Sequence, residues 1–72
     1  MKLHYYPETV SLYIDLNAKP SVDSREVSEG VILDYGENNE LVGIDIQRAS
    51  QLLDLATLEA EALPAPLKMK LV

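Results

Sequence analysis

The sequence contains no cysteine, and this absence excludes several kinds of site. Without thiols there is no disulfide framework, no thiolate zinc site and no cysteine nucleophile. A chain of 72 residues buries only about 60% of the surface that its unfolded form exposes, so its own core stabilises it marginally. Oligomerisation is the stabilising device that remains, and we expect a homodimer.

Long apolar runs are also missing from the chain. No stretch approaches the roughly 18 to 20 apolar residues that a membrane span needs. The first residues, Met1–Tyr5, lack the apolar stretch of a signal peptide. We therefore expect a cytoplasmic protein that does not bind membranes.

Basic residues are scarce: six Lys and Arg stand against twelve Asp and Glu, which gives a net charge of −6. Such an acidic surface repels phosphate backbones, so we expect no binding to nucleic acid. All twelve acidic residues fall within 1–61, whereas Lys68 and Lys70 are the charged residues of 62–72. The sequence thus predicts an acidic body followed by a basic tail.

The first hairpin is predicted from alternating apolar and polar residues. Residues 10–16 alternate strictly, which is typical of a half-buried strand. Pro7 suits the second position of a turn, so residues 2–6 are expected to form the preceding strand. The expected register pairs Tyr6 with Thr9, Tyr5 with Val10, Leu3 with Leu12 and His4 with Ser11.

A second hairpin is predicted at 31–35 and 40–46, on either side of a turn at 36–39. Its expected register pairs Tyr35 with Glu40, Leu33 with Val42 and Ile32 with Gly43. The more polar residues 22–28 predict a weak edge strand, which a tight turn or glycine bulge at 28–30 joins to the second hairpin.

The period changes to three and four residues from Ala49, which predicts an amphipathic helix over 49–63 that ends before Pro64. We therefore predict an α+β fold: an antiparallel β-meander of about five short strands with one C-terminal amphipathic helix. This forms a single domain over 1–63. A proline-led tail over 64–72 alternates like a strand and is able to add one to a sheet edge.

Three stretches of the sequence resemble a known family. They are Met1–Thr9 with Leu12–Ile14, then Glu29–Tyr35, then Leu41–Ile46 with Ala49 and Ser50. Together they resemble the YuzE-like family of short prokaryotic proteins of unknown function, over residues 1 to about 53. The resemblance implies a β-meander followed by a helix, and it brings no catalytic or binding residues with it. Some members are encoded beside small toxin-like proteins, which raises a role as a neutralising partner.

Three aspartates are the candidate metal ligands, because Asp15, Asp34 and Asp45 fall on the outward faces of their predicted strands. Neighbouring carboxylates are able to chelate Mg²⁺ or Ca²⁺. The competing interpretation is a solvated outer face, which alternating strands produce without any ligand. No calcium-loop spacing accompanies the three residues, and we expect no metal and no other cofactor.

His4 is the single histidine, and the predicted register places it across from Ser11, which suggests a serine nucleophile with a histidine base. The sequence has no G-x-S-x-G elbow and no glycine-rich oxyanion loop. A polar pair on a solvated face explains both residues, so we expect no enzymatic activity. A small enzyme or cation-binding module built on the three aspartates is the alternative function.

The leading hypothesis is a small non-enzymatic protein-interaction module, in its most specific form the neutralising partner of a toxin-like protein. Apolar side chains that the predicted fold leaves outside its core are the expected contacts with a small protein partner or a second copy. They are Tyr13, Ile32 and Leu41 on the outer sheet face, Leu52, Leu55 and Leu58 on the helix flank, and Leu67, Met69 and Leu71 in the tail.

Overall fold

The computed structural model describes residues 1–54, which form a five-stranded antiparallel sheet and one short helix. The predicted α+β class is confirmed. The strands are β1 (Lys2–Tyr6), β2 (Ser11–Asp15), β3 (Asp23–Ser28), β4 (Val31–Tyr35) and β5 (Leu41–Ile46), and the helix is α1 (Ala49–Leu52). The predictions for the tail and for Leu55, Leu58, Leu67, Met69 and Leu71 lie outside the described residues.

The strand order corrects the predicted meander. It is β1-β2-β5-β4-β3, so β5 lies between β2 and β4, and β3 occupies the far edge. Composition explains the difference. β3 contains a single apolar residue, Val27, and a central position would remove its charged groups from water, whereas the apolar β5 fits between two neighbours.

The β1–β2 register is displaced by two residues from the predicted one. Tyr6 pairs with Ser11 and His4 pairs with Tyr13, so His4 does not face Ser11. The cause is a loop of four residues, 7–10, in place of the expected two-residue turn. Because side chains alternate with a period of two, a shift of two residues keeps every predicted face.

The β4–β5 register is displaced in two steps: Tyr35 pairs with Leu41 instead of Glu40, and a bulge at Val42 adds a second residue to the shift. Gly43 therefore lies opposite Asp34 instead of Ile32. The predicted turn at 36–39 is present, closed by the Gly36 amide, which donates to the Glu40 carbonyl at 2.8 Å. The tight turn before β4 is present as well, with Gly30 at a φ of 78°.

The helix begins at Ala49 as predicted, but it ends at Leu52 instead of continuing to 63. Leu53 is extended, with φ −124° and ψ 153°. Arg48 occupies the N-cap position without a side-chain cap, and no acidic residue lies in the first turn. Within residues 1–54 no helix is long and apolar enough to cross a membrane.

Alternation along the strands gives the sheet two different faces. One, here called the apolar face, has Asp23 and Arg25 at its β3 edge and otherwise carries Leu3, Tyr5, Leu12, Ile14, Val31, Leu33, Tyr35, Leu41, Ile44 and Ile46. The other, here called the acidic face, carries His4, Tyr13, Asp15, Ser24, Glu26, Ile32, Asp34, Gly43 and Asp45.

The core of the described region is small. Val42 and Ala49 are its only buried apolar side chains, and Val42 is 2% exposed. All residues of β2 and β4 are half-buried, on both faces of the sheet. The described part of the chain is therefore a single-layered sheet that one turn of helix covers incompletely.

Candidate functional site

On the acidic face, side-chain hydrogen bonds join three strands, and the tyrosine that takes part in them packs against a fourth. The Tyr13 hydroxyl on β2 donates to Asp34 Oδ2 on β4 at 2.8 Å, and the Ser24 hydroxyl on β3 donates to Asp34 Oδ1 at 2.6 Å. The tyrosine ring crosses Gly43 of β5, where an added Cβ would lie 2.6 Å from Cζ of the ring. We call Tyr13, Ser24, Asp34 and Gly43 the tyrosine cluster.

The three predicted aspartates are brought together around this tyrosine. Asp15 and Asp34 flank Gly43 on either side, and Asp45 lies directly opposite Tyr13. Burial, the hydrogen bond to Asp34, and the negative charges of the three aspartates together raise the pKa of Tyr13 to about 12. The hydroxyl is therefore a neutral hydrogen-bond donor at physiological pH.

A spectrophotometric titration is expected to show Tyr13 ionising near pH 12, later than an ordinary tyrosine, which ionises near pH 10. The neutral form is favoured in the folded state, so its stabilisation is complete below about pH 10 and is lost as the pH rises towards 12. Tyr13→Phe should remove the late absorbance change. Asp34→Asn keeps an acceptor but removes a charge, so it should move that change to lower pH; an unaltered titration in both variants would contradict the assignment.

The tyrosine cluster is arranged for structure more than for chemistry. Both carboxylate oxygens of Asp34 already accept hydrogen bonds, and a raised pKa makes the Tyr13 hydroxyl a poor nucleophile. In the described part of the chain, no three His, Asp or Glu side chains are grouped so that they could hold a metal ion. The cluster therefore supports a cross-strand structural bond more than the alternative enzyme or cation site.

A polar cleft of about 530 Å³ opens at one end of the sheet. Three connections meet there: the β1–β2 loop, the β3–β4 turn and the segment between β5 and α1. The cleft is lined by Thr9, Ser11, Glu26, Glu29, Gly30, Gln47 and Arg48. No sequence motif indicated it, because the strand order alone brings these separate loops together.

Backbone hydrogen bonds hold the walls of this cleft. The Gln47 amide donates to the Gly30 carbonyl at 2.8 Å, and the Ala49 amide donates to the Val10 carbonyl at 2.7 Å. Across the rim, Arg48 and Glu29 form an exposed ion pair at 3.4 Å. The two carboxylates of the lining, Glu26 and Glu29, outnumber the one guanidinium, so the cleft carries an excess of negative charge.

The predicted partner contacts are placed in different ways. Tyr13 and Ile32 lie on the acidic face but on opposite sides of Asp45, so they do not form one continuous apolar patch. Leu41 lies opposite Tyr35 and not opposite Asp34, so it stands on the apolar face and not on the predicted outer face, because the bulge at Val42 changes the alternation there. Leu41 and Leu52 are exposed, by 37% and 51% respectively. Exposure at Leu52 is compatible with the predicted helix-flank contact.

The apolar face is the surface that residues 1–54 leave partly uncovered. Leu3 and Tyr5, at its β1 edge, are 43% and 40% exposed. Its members on β2 and β4, with Ile44 and Ile46 on β5, are only half-buried. The strict alternation of 10–16 indicated this face, but alternation does not reveal whether an element covers it.

Comparison with known proteins gives one match. A family model described as a protein of unknown function, DUF2283, matches residues 2–50, a range that contains all five strands and the start of α1. No curated protein and no solved structure matches the chain. The match supports an uncharacterised family, and the YuzE-like name stays a prediction.

Proposed function

Because the chain belongs to the DUF2283 family, whose function is unknown, we propose its function from the geometry of the sheet: it is a non-enzymatic protein-interaction module. The observation that carries this proposal is the half-exposed apolar face. A strand that alternates as strictly as 10–16 normally buries its apolar side chains almost completely. The apolar side chains of this face are only half-buried, so their complete burial needs a further layer of protein against the sheet.

Covering the apolar face with a partner is energetically favourable. Burying a Leu or Ile side chain fully contributes about 1.5–3 kcal/mol relative to leaving it exposed. Part of this free energy is gained only when a partner covers the side chains that are half-buried in the chain alone. These are Leu12, Ile14, Leu33 and Ile44. A chain of 72 residues has a small margin of stability, so such a contact has a large relative effect.

The charge of the chain defines the chemistry of the partner. With a net charge of −6, the protein attracts basic surfaces and repels acidic ones at long range. The apolar face itself offers aliphatic side chains without charge on β2 and β5. The partner that fits is therefore an amphipathic protein segment with an apolar stripe bordered by Lys and Arg.

A synthetic amphipathic helix with a leucine face and a lysine face is expected to bind the full chain in a calorimetric titration. Leu33→Ser should weaken this binding about tenfold, since one lost apolar contact is worth on the order of 1.4 kcal/mol. The same helix with glutamate in place of lysine should bind much more weakly, because the chain is acidic.

Ile32→Ser is the matched control for Leu33→Ser. The two residues are neighbours on β4 and both are half-buried, but Ile32 lies on the acidic face. Ile32→Ser should leave the affinity for the lysine helix unchanged, after circular dichroism has shown that both variants are folded. Equal losses in the two variants, or no binding to the natural sequence, would reject the apolar face as the contact surface.

A more specific form of this proposal is that the partner is a toxin-like protein, which the chain neutralises by covering part of its surface. That form is supported only by the resemblance described above. The cytoplasmic location likewise stays a prediction. The titration with the lysine helix tests the contact surface whichever protein occupies it.

A further inference from the structure

We propose that two copies of this chain pair through the outer edges of their β1 strands, antiparallel and centred on His4. β1 is an edge strand, and no other strand of the described region pairs with its outer side. All five of its residues are exposed. An exposed edge presents a row of unpaired backbone N–H and C=O groups, which another strand is able to satisfy.

The two edges of the sheet differ in how they resist such pairing. β3 carries Asp23, Arg25 and Glu26, and a bulge interrupts it after Glu26. Charged side chains and bulges are the features by which natural edge strands avoid pairing. β1 has no bulge, and its single formally charged side chain, Lys2, stands at its first position. The β1 edge is therefore the one open to another chain.

Charge also selects β1 as the meeting point of two identical chains. Two molecules that each carry a net charge of −6 repel one another over most of their surface. β1 is the only strand of the described region without a carboxylate. An approach through β1 thus places the acidic residues of both copies farthest from the contact.

Symmetry fixes the register of the pairing. In an antiparallel pair, opposite side chains point to the same face, so one residue must lie opposite its own copy, with the two-fold axis midway between the two. An axis at His4 pairs all five residues of β1, and pairing then ends where Met1 meets Pro7, which has no amide to donate. An axis at Leu3 or Tyr5 pairs fewer strand residues.

This register joins like surfaces. Leu3 of one copy lies opposite Tyr5 of the other, so the two apolar faces become one continuous face. On the acidic face, His4 meets its own counterpart and Lys2 lies beside Tyr6 of the second copy. Within each copy the rings of Tyr6 and His4 are in tilted contact, with centroids 4.3 Å apart. The pairing therefore brings the His4 and Tyr6 rings of both copies together at the interface.

Cysteine cross-linking tests the arrangement directly, because the natural chain contains no cysteine. In this register the Cβ atoms of the two His4 residues are about 4.5–5.5 Å apart, close enough for a disulfide after small adjustments. His4→Cys in the full chain should therefore form a disulfide-linked dimer under mild oxidation. Disulfide formation should be about tenfold faster, or more, in His4→Cys than in Glu26→Cys, because only the proposed pairing through β1 holds the two thiols of a dimer side by side.

Two control positions make the result specific. Glu26 stands at the opposite end of the same cross-strand row and is also exposed, so Glu26→Cys reports random collisions. Tyr6→Cys lies on β1 but two positions from the axis, so its two thiols are too far apart to bridge. Equal rates for His4→Cys and Glu26→Cys, or a faster rate for Tyr6→Cys, would overturn the proposal.

A second measurement does not depend on oxidation. Light scattering should give a dimer mass for the natural chain and for His4→Gln, and a monomer mass for His4→Glu, since like charges placed opposite one another destabilise strand pairing. A monomer of the natural chain would overturn the proposal, including the case in which residues 55–72 of the same chain occupy the edge. Leu33→Ser should leave the dimer intact, so failure here and failure of the apolar-face contact are distinguishable.

Discussion

Gly43→Ala is expected to lower the free energy of unfolding by about 2–3 kcal/mol, as overpacking of a filled site does. The added methyl group would overlap the Tyr13 hydroxyl and lie 2.6 Å from Cζ of the same ring. The ring cannot move aside without giving up its 2.8 Å hydrogen bond to Asp34. Urea denaturation of the natural chain and the variant measures the difference.

The double variant with Tyr13→Ala identifies the cause. Once the ring is absent, the methyl group at position 43 has room, and alanine is the better strand residue by roughly 0.5–1 kcal/mol. Gly43→Ala should therefore be neutral or slightly stabilising in the Tyr13→Ala background. If it costs the same in both backgrounds, the tyrosine is not what requires a glycine there.

This glycine shows where prediction from the sequence succeeded and where it stopped. The alternation of 10–16 and 31–46 was enough to assign most side chains to a face, because a register error of two residues leaves a side chain on its own face. Leu41 is the exception, since it lies before the bulge and pairs with Tyr35. The predicted cross-strand partner of Gly43 was wrong because of the same register error. A two-residue shift moves it from Ile32 to Asp34: one residue arises beside the turn and the second at the bulge at Val42, and alternation indicates neither.

The strand order was only partly within reach of the sequence. The polar composition of 22–28 predicted an edge strand, which β3 is, but alternation within β5 does not indicate that it pairs with β2 as well as with β4. Yet that pairing brings Asp15, Tyr13 and Asp34 around one glycine, and it also forms the polar cleft from three loops. The outward position of each aspartate was therefore predictable from the sequence, whereas their grouping around Tyr13 was not.

The length of α1 depended on context in a similar way. The spacing from Ala49 onward is helical, but a single uncapped turn has little stability of its own, and packing against β2 supports only its start. Ala49 is fully buried and its amide donates a hydrogen bond to the Val10 carbonyl, while Leu52 is half-exposed. Periodicity gave the position of the helix, and the contacts decided where it ends.

Val10→Asn is expected to raise the free energy of unfolding by about 1 kcal/mol, because Val10 has a φ of 57°. The left-handed region is unfavourable for a β-branched residue and tolerated by asparagine. The strain persists because Val10 ends the four-residue loop and its carbonyl accepts a 2.7 Å hydrogen bond from Ala49. Asparagine keeps that backbone bond while relieving the strain, so the melting temperature should rise.

Thr9→Asn and Val10→Ala are the matched controls. Thr9 is the neighbouring loop residue without a positive φ, so asparagine there should bring no gain. Alanine at position 10 keeps a Cβ in the left-handed region and loses the half-buried methyl groups of valine, so it should be no more stable than the natural chain. A gain at Thr9 equal to that at Val10 would show that asparagine acts on the unfolded loop. A loss of stability in Val10→Asn would show that the half-buried valine side chain stabilises the fold by more than the backbone strain costs.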